Sequence, residues 1–158
     1  MNGVDILLFI GKLIPAIKTE RLFKSREGEL MVKLDPIGFL RTRHRDVPRH
    51  WSVSELEGEL VIKPEFAEGL AGIKKGDRIA VIFQFHKSPP FTREKLKQTP
   101  PHREHRKGVF SICSPRRPNP LGLSVVEVLE IEGNVITVSG IDMLDGTPIL
   151  DIKPHITG

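Results

Sequence analysis

Two neighbouring arginines, Arg116 and Arg117, stand in the run GVFSICSPRRPN at residues 108–119, with Pro120-Leu121-Gly122-Leu123-Ser124 directly behind it. Pro115, Pro118 and Pro120 punctuate that run. Each proline fixes its own φ and removes a backbone donor, and each pushes the residue before it out of the α region. The arginines are therefore presented on a stiff turn. A guanidinium held in this way suits a carboxylate or a phosphate. A proline-rich surface turn with solvated arginines has the same spacing. A second candidate lies at residues 141–148, IDMLDGTP, where Asp142 and Asp145 flank a turn dipeptide. Asp145 is free either to bond its own backbone there or to join Asp142 and the Gly146 amide in a polar pocket facing the arginine turn.

Other chemistries have little support. No G-x-G-x-x-G follows a strand and no P-loop is present. The pair His102-x-x-His105 lacks a second Cys/His pair at zinc spacing, so no metal site is expected. Cys113 is the single cysteine, with no context for a nucleophile. It also excludes an internal disulfide framework and fits a reducing compartment. No stretch approaches the ~20 apolar residues of a membrane span, so a cytoplasmic chain without a membrane anchor is expected.

Charge is segregated. Residues 41–49 hold four arginines against Asp46, and residues 87–117 hold nine Lys or Arg against Glu94 and Glu104. These windows carry +3 and +7, which leaves −6 for the rest of a chain whose net charge is +4. A polyanion bound on one face, RNA or DNA, is the natural partner, although a charge run also describes a solvated surface.

The elements that must position these groups are mostly strands. Residues 37–43, 58–63 and 78–85 carry strand-like apolar patterns between turn signals, and RIAVIFQF at 78–85 is the strongest. Residues 64–72 suit a brief helix, with Pro64 at its first position and a glycine at its end. Residues 123–131 and 135–141 flank Glu132-Gly133-Asn134, a hairpin signal, and 149–152 make a last strand. The segment 86–107 is long for an idle connection; its prolines, His86 and basic surplus suit an arm that orders on RNA. Many strands and little helix give a mainly β fold, a small closed or partly open barrel with short helices. Residues 1–33 read differently. Ile6, Ile10, Leu13, Ile14 and Ile17 recur at helical spacing, Asp5 suits a cap, and Pro15 ends a helix of about three turns. The reading is an N-terminal helical extension on a domain at 34–158, or a misplaced start, since Met31 begins a plausible shorter chain. The segment lacks the basic n-region of a signal peptide.

The runs GVFSICSPRRPNPLGLSVVEVLEIEGN and GIDMLDGTPILDIKPH, with DPIGFLRTRHRDVPRHW and IAVIFQFHKS upstream, closely resemble the TsaA-like family. Its studied members are S-adenosylmethionine-dependent tRNA methyltransferases (TrmO). The resemblance covers roughly residues 35–155 and rests on two specific motifs, SPxRPNPxGLS and DxLDGTPxxDIKP. It implies a small β-barrel methyltransferase acting as a homodimer, with its site near the subunit interface. The implied substrate is N6-threonylcarbamoyl-adenosine beside the anticodon, methylated at N6.

Carried over by position, Arg117 is the arginine of the RPNP motif and is implied to contact the cofactor. Asp145, Gly146, Thr147 and Pro148 match the cofactor segment DGTP. Trp51, Ser52 and Val53 align where many relatives have Gln-Pro-Gly. His86 and Lys87 follow the central strand where relatives have His-Gln, Glu127 falls at another lining position, and Cys113 replaces an arginine. A cationic sulfonium would be stabilised by Asp142 or Asp145, and the methionyl carboxylate by Arg117. Trp51 offers an aromatic face. The accepting nitrogen bears a carbonyl substituent, so a base is expected, either His86 or Asp142. Arg41, Arg43, Arg45, Arg103, Arg106 and Lys107 are expected on the phosphates of the tRNA anticodon stem-loop. A module that binds S-adenosylmethionine and RNA without turnover is the alternative.

Overall fold

The structure, a computed structural model, describes residues 22–24, 30–101 and 103–156. The chain divides into two compact units, Met1–Leu34 and Asp35–Gly158. In the first, β1 (Leu22–Lys24) pairs antiparallel with β2 (Leu30–Val32). The helix expected to end near Pro15 lies outside the described residues.

The second unit is built on six strands: β3 (Gly38–Arg41), β4 (Glu57–Ile62), β5 (Arg78–Gln84), β8 (Leu121–Glu132), β9 (Val135–Ser139) and β10 (Pro148–Pro154). They pair antiparallel in the order β10-β3-β4-β9-β8-β5, and β5 pairs back onto β10, so the ring closes. The expected β-barrel is present. Alternation explains which faces meet inside. Ile79, Val81 and Phe83 of β5 are buried while their neighbours are not. Leu60 and Ile62 of β4 and Ile136 and Val138 of β9 repeat the pattern, as period-two strands with one covered face must. Leu40, Leu70, Val126, Val128, Ile141, Met143 and Ile149 complete the core. The hairpin signal forms a two-residue turn between Glu132 and Val135, paired to each other, with Gly133 at φ +60°. That left-handed value is one a glycine adopts at little steric cost.

The brief helix is a 3-10 segment, Pro64–Leu70, with proline in its first turn. The segment after β5 is not a bare arm. It carries a 3-10 turn (Arg93–Leu96) and a short hairpin of β6 (Lys97–Gln98) and β7 (Lys107–Gly108). The Arg106 guanidinium donates to the carbonyl of Lys97 at 2.7 Å and that of Glu94 at 3.4 Å. The Glu94 carbonyl in the 3-10 turn and the Lys97 carbonyl on β6 thus share one side-chain donor, which ties turn to hairpin.

One close approach fixes the ring beside the site. Gly122 on β8 pairs with Phe83 on β5. A Cβ built on Gly122 would lie 2.2 Å from the Phe83 ring, so the ring occupies the space a side chain would need. Gly122→Ala is expected to lower stability by about 1–3 kcal/mol through overpacking. The check is the urea midpoint at unchanged m-value.

Candidate functional site

Three long connections, residues 42–56, 85–120 and 140–147, converge on one cleft of about 1320 Å³. Trp51, His86, Lys87, Arg117, Asp142 and Thr147 all line it. The connections are tied together before they meet any ligand. Gly140 N–H donates to the Leu56 carbonyl at 2.9 Å, and the Ser54 hydroxyl donates to the Ile141 carbonyl. These bonds bring the 3-10 turn Trp51–Val53 to the residues around Asp142. Trp51 also lies 5.8 Å from the Arg78 guanidinium, within cation–π range.

Asp142 is the half-buried carboxylate of the site. The fully buried Ser124 hydroxyl donates to its Oδ1. Burial pushes the Asp142 carboxyl above the usual range, since low dielectric penalises the charge. The Ser124 hydroxyl, the nearby His50 and the backbone N–H groups of Trp51 and Asp142 pull the other way. The result is a carboxyl group that lines the cleft and is oriented by these donors.

His86 has one ring nitrogen with a defined neighbour. The Thr147 hydroxyl donates to the Leu144 carbonyl at 2.7 Å and lies 3.4 Å from His86 Nδ1. A hydroxyl has one proton, so toward Nδ1 it accepts. The network therefore assigns the proton to Nδ1 and the lone pair to Nε2. Partial burial and the adjacent Lys87 hold His86 below the usual imidazole range, with Asp145 opposing them. With the proton on Nδ1, the ring offers the Nε2 lone pair as a base.

Asp145 and Gly146 secure the bend. Asp145 Oδ1 accepts from the Thr42 N–H at 2.9 Å, and Gly146 N–H donates to the Leu40 carbonyl at 2.8 Å. Gly146 has φ +75°. Of the two aspartates proposed for a cation, Asp142 lines the cleft and Asp145 holds the bend to the end of β3. Pro148 opens β10, and neither it nor Gly146 is part of the lining. Arg117 is half-buried, and its Nη1 reaches the Ile112 carbonyl at 3.5 Å. Ser52 and Val53 are exposed and outside the lining. Glu127 is outside the lining as well; on β8 it lies opposite Arg78, the residue whose guanidinium is over the Trp51 ring.

The basic residues do not form one cluster around the cleft. Arg45 lines it. Arg41 pairs with Glu59 and, with Arg43, lines a smaller cavity of about 580 Å³. Arg103 and Lys107 are exposed, and Arg106 is engaged with the carbonyls named above. Sequence reasoning missed Ser124, His50 and Gln98, whose partners are distant or lie in an irregular loop. Ser124 closes the SPxRPNPxGLS motif, which was the one available signal. Among the described residues no group of three His, Cys, Asp or Glu side chains is placed to hold a metal ion, and no helix is long and apolar enough to cross a membrane.

Comparison with known proteins gives consistent findings. The family described as the tRNA-methyltransferase O N-terminal domain matches residues 40–158. A probable S-adenosyl-L-methionine-binding protein of Pyrococcus abyssi is 39% identical over 131 residues, covering 80% of this chain and 70% of its own. An S-adenosyl-L-methionine-binding protein of Archaeoglobus fulgidus is 40% identical over 125 residues, covering 77% of this chain and 88% of its own. Human tRNA (adenine(37)-N6)-methyltransferase is 33% identical over 156 residues, 92% of this chain and 33% of its own. A crystal structure of TrmO from P. aeruginosa superposes with a TM-score of 0.62 at 34% identity, covering 81% of this chain and 56% of that one. The chain thus spans about half of that structure and a third of the human protein.

The Asp142 environment has a measurable consequence. A carboxyl whose folded pKa is raised costs stability above that pKa and nothing below its unfolded value. Asp142→Asn is therefore expected to melt higher than the parent at pH 8, the gap closing as pH falls toward 4. Calorimetry across pH checks it, and equal melting temperatures at pH 8 would contradict the burial argument.

Proposed function

Because this chain belongs to the family of tRNA-methyltransferase O N-terminal domains, we propose that it is an S-adenosylmethionine-dependent tRNA (adenine-N6)-methyltransferase. In the finer reading its substrate is N6-threonylcarbamoyl-adenosine beside the anticodon, and it acts as a cytoplasmic homodimer. The observation that carries the proposal is the meeting of Asp142, Arg117, Trp51 and His86 on one cleft.

The residues fit the methyl donor. Its charges are a cationic sulfur, an ammonium and a carboxylate; the cleft offers the Asp142 carboxylate to the cations and the Arg117 guanidinium to the anion. The Trp51 ring supplies a face for an adenine or a sulfonium. When bound, S-adenosylmethionine supplies an electrophilic methyl group. Everything else falls to the chain. Trp51 and Arg117 orient the reactants, and alignment of this kind contributes around 7–11 kcal/mol to such transfers. His86 Nε2 takes the N6 proton, which is acidified by the neighbouring carbonyl, as the nitrogen accepts the methyl. Asp142 holds positive charge in place until transfer removes it. Lys87, Thr147 and the bend Asp145-Gly146-Pro148 support the donor side, together with Ser52 and Val53 of the Trp51 turn and Glu127 opposite Arg78. Arg41, Arg43, Arg45, Arg103, Arg106 and Lys107 contact stem-loop phosphates in this reading.

The deciding experiment is mass spectrometry of tRNA nucleosides after incubation with protein and S-adenosylmethionine. Appearance of an N6-methylated threonylcarbamoyl-adenosine supports the reading, and an unchanged nucleoside profile with intact donor sinks it. The archaeal relatives are named only for binding the donor, which keeps a non-catalytic binding module as the second reading; donor affinity without labelled-methyl transfer would select it. Arg117→Ala is expected to weaken donor binding about 10- to 150-fold, the worth of one charge-assisted hydrogen bond, measured by titration calorimetry. Lys87→Met removes a positive charge beside His86, so the imidazole pKa rises. The acid limb of the rate profile is then expected to move to higher pH, and an unmoved limb would exclude His86 as the base.

A further inference from the structure

Gln98, on β6 and in the cleft wall, makes three hydrogen bonds with its side-chain amide. Nε2 donates to the Lys95 carbonyl at 2.7 Å and to the Arg116 carbonyl at 2.8 Å. Oε1 accepts from the Ser114 hydroxyl at 2.6 Å. Ser114 Oγ in turn accepts from the Arg116 N–H at 3.2 Å. The contacts form a closed circuit, Gln98 to Ser114 to Arg116 and back, joining two segments 16–18 residues apart. A primary amide offers two donors and one acceptor group to a partner set of two carbonyls and one hydroxyl, so every group is matched.

Proline rigidity alone cannot aim the turn. Pro115 and Pro118 fix φ within the turn but leave its orientation against the barrel undetermined. Outside Gln98, the side-chain tie given to the turn's backbone from the arm is the Ser88 hydroxyl on the Pro115 carbonyl, at 3.0 Å. Gln98 also sits in the ladder opposite Lys107, beside Lys97, whose carbonyl receives the Arg106 guanidinium. The element bearing these cations is therefore the one that grips the arginine turn.

We propose that Gln98 is a positioning residue, acting through Ser114 and the Arg116 backbone to aim Arg117 at the methyl donor. This rests on the proposed function. It makes the β6–β7 hairpin part of the donor site, and not only a carrier of positive charge.

The test uses S-adenosylhomocysteine as an unreactive probe of the donor site, with the full chain, Gln98→Met, Ser114→Ala and the double variant. Methionine keeps length and volume and lacks the amide's polar groups. Each single substitution is expected to weaken binding about tenfold, with the double variant no weaker than the worse single, because both open one circuit. Multiplying losses, or Gln98→Met within twofold of the parent, would overturn the proposal. Amide exchange in the free protein supplies a ligand-independent reading. The Arg116 N–H is expected to exchange faster in Gln98→Met while the β5 and β8 amides keep their protection; unchanged exchange at Arg116 overturns the positioning role. If the parent chain itself does not bind S-adenosylhomocysteine, the functional reading fails, whereas faster Arg116 exchange would still separate that failure from an absent circuit. Steady-state rates complete the distinction, with KM for the donor rising and kcat held, a split that general loss of folded protein does not produce.

Discussion

The pairing of β10 with β5 is the constraint on which the rest of the molecule depends. Ile152 opposite Val81 and Ile149 opposite Phe83 close a ring that would otherwise be an open sheet. Closure sets the C-terminal strand beside the strand that ends at Gln84. The bend before β10 is thereby carried to the second residue after β5, and Thr147 reaches His86. On the other side of β5, its ladder with β8 sets Phe83 against Gly122, at the start of the strand that also carries Ser124. Ser124 on β8, and Thr147 directly before β10, thus hang from ladders whose register is fixed by apolar burial. Chemistry is positioned by packing elsewhere.

Much of this was legible in the sequence. Alternation at 78–85 and the Gly133 turn announced strands, and the two long motifs announced the cleft before any coordinates. What stayed hidden has a common physical character. The bond between Ser124 and Asp142 spans 18 residues, and no periodicity encodes a hydroxyl meeting a carboxylate across a ring. Gln98 reads as an unremarkable polar residue in a basic loop; only the folded hairpin gives its amide three partners. The Asp145-Gly146 turn was correctly seen as a turn, but its carboxylate could not be assigned, because the Thr42 N–H it accepts from lies 103 residues away. Glu127 shows a link of the same kind: it lies opposite Arg78 on β5, whose guanidinium lies over the Trp51 ring.

The basic segment 86–107 shows how composition and structure divide the information. Its proline and charge content describes an arm ready to meet a polyanion. The fold adds that part of this charge is engaged internally, Arg106 with the Lys97 carbonyl of its own hairpin and the Glu94 carbonyl of the turn before it. A cation that already satisfies backbone acceptors loses some of its freedom to follow a phosphate. Exposed Arg103 and Lys107 carry no such hydrogen bond among the described contacts. Sign and number of charges come from sequence; their availability comes from geometry.

A closed ring also has no first or last strand. In an open sheet the outermost strand exposes a row of unpaired amides and carbonyls, which invites another backbone to add itself and, with repetition, to form fibres. In the barrel each of the six strands has a partner on either side, although β10 meets β3 only at Pro148 and Ile149. Of the short hairpins beside it, β6–β7 carries Lys97 and Lys107, whose charge repels a like neighbour. The architecture that shapes the cleft therefore also protects the molecule from uncontrolled self-assembly at high concentration.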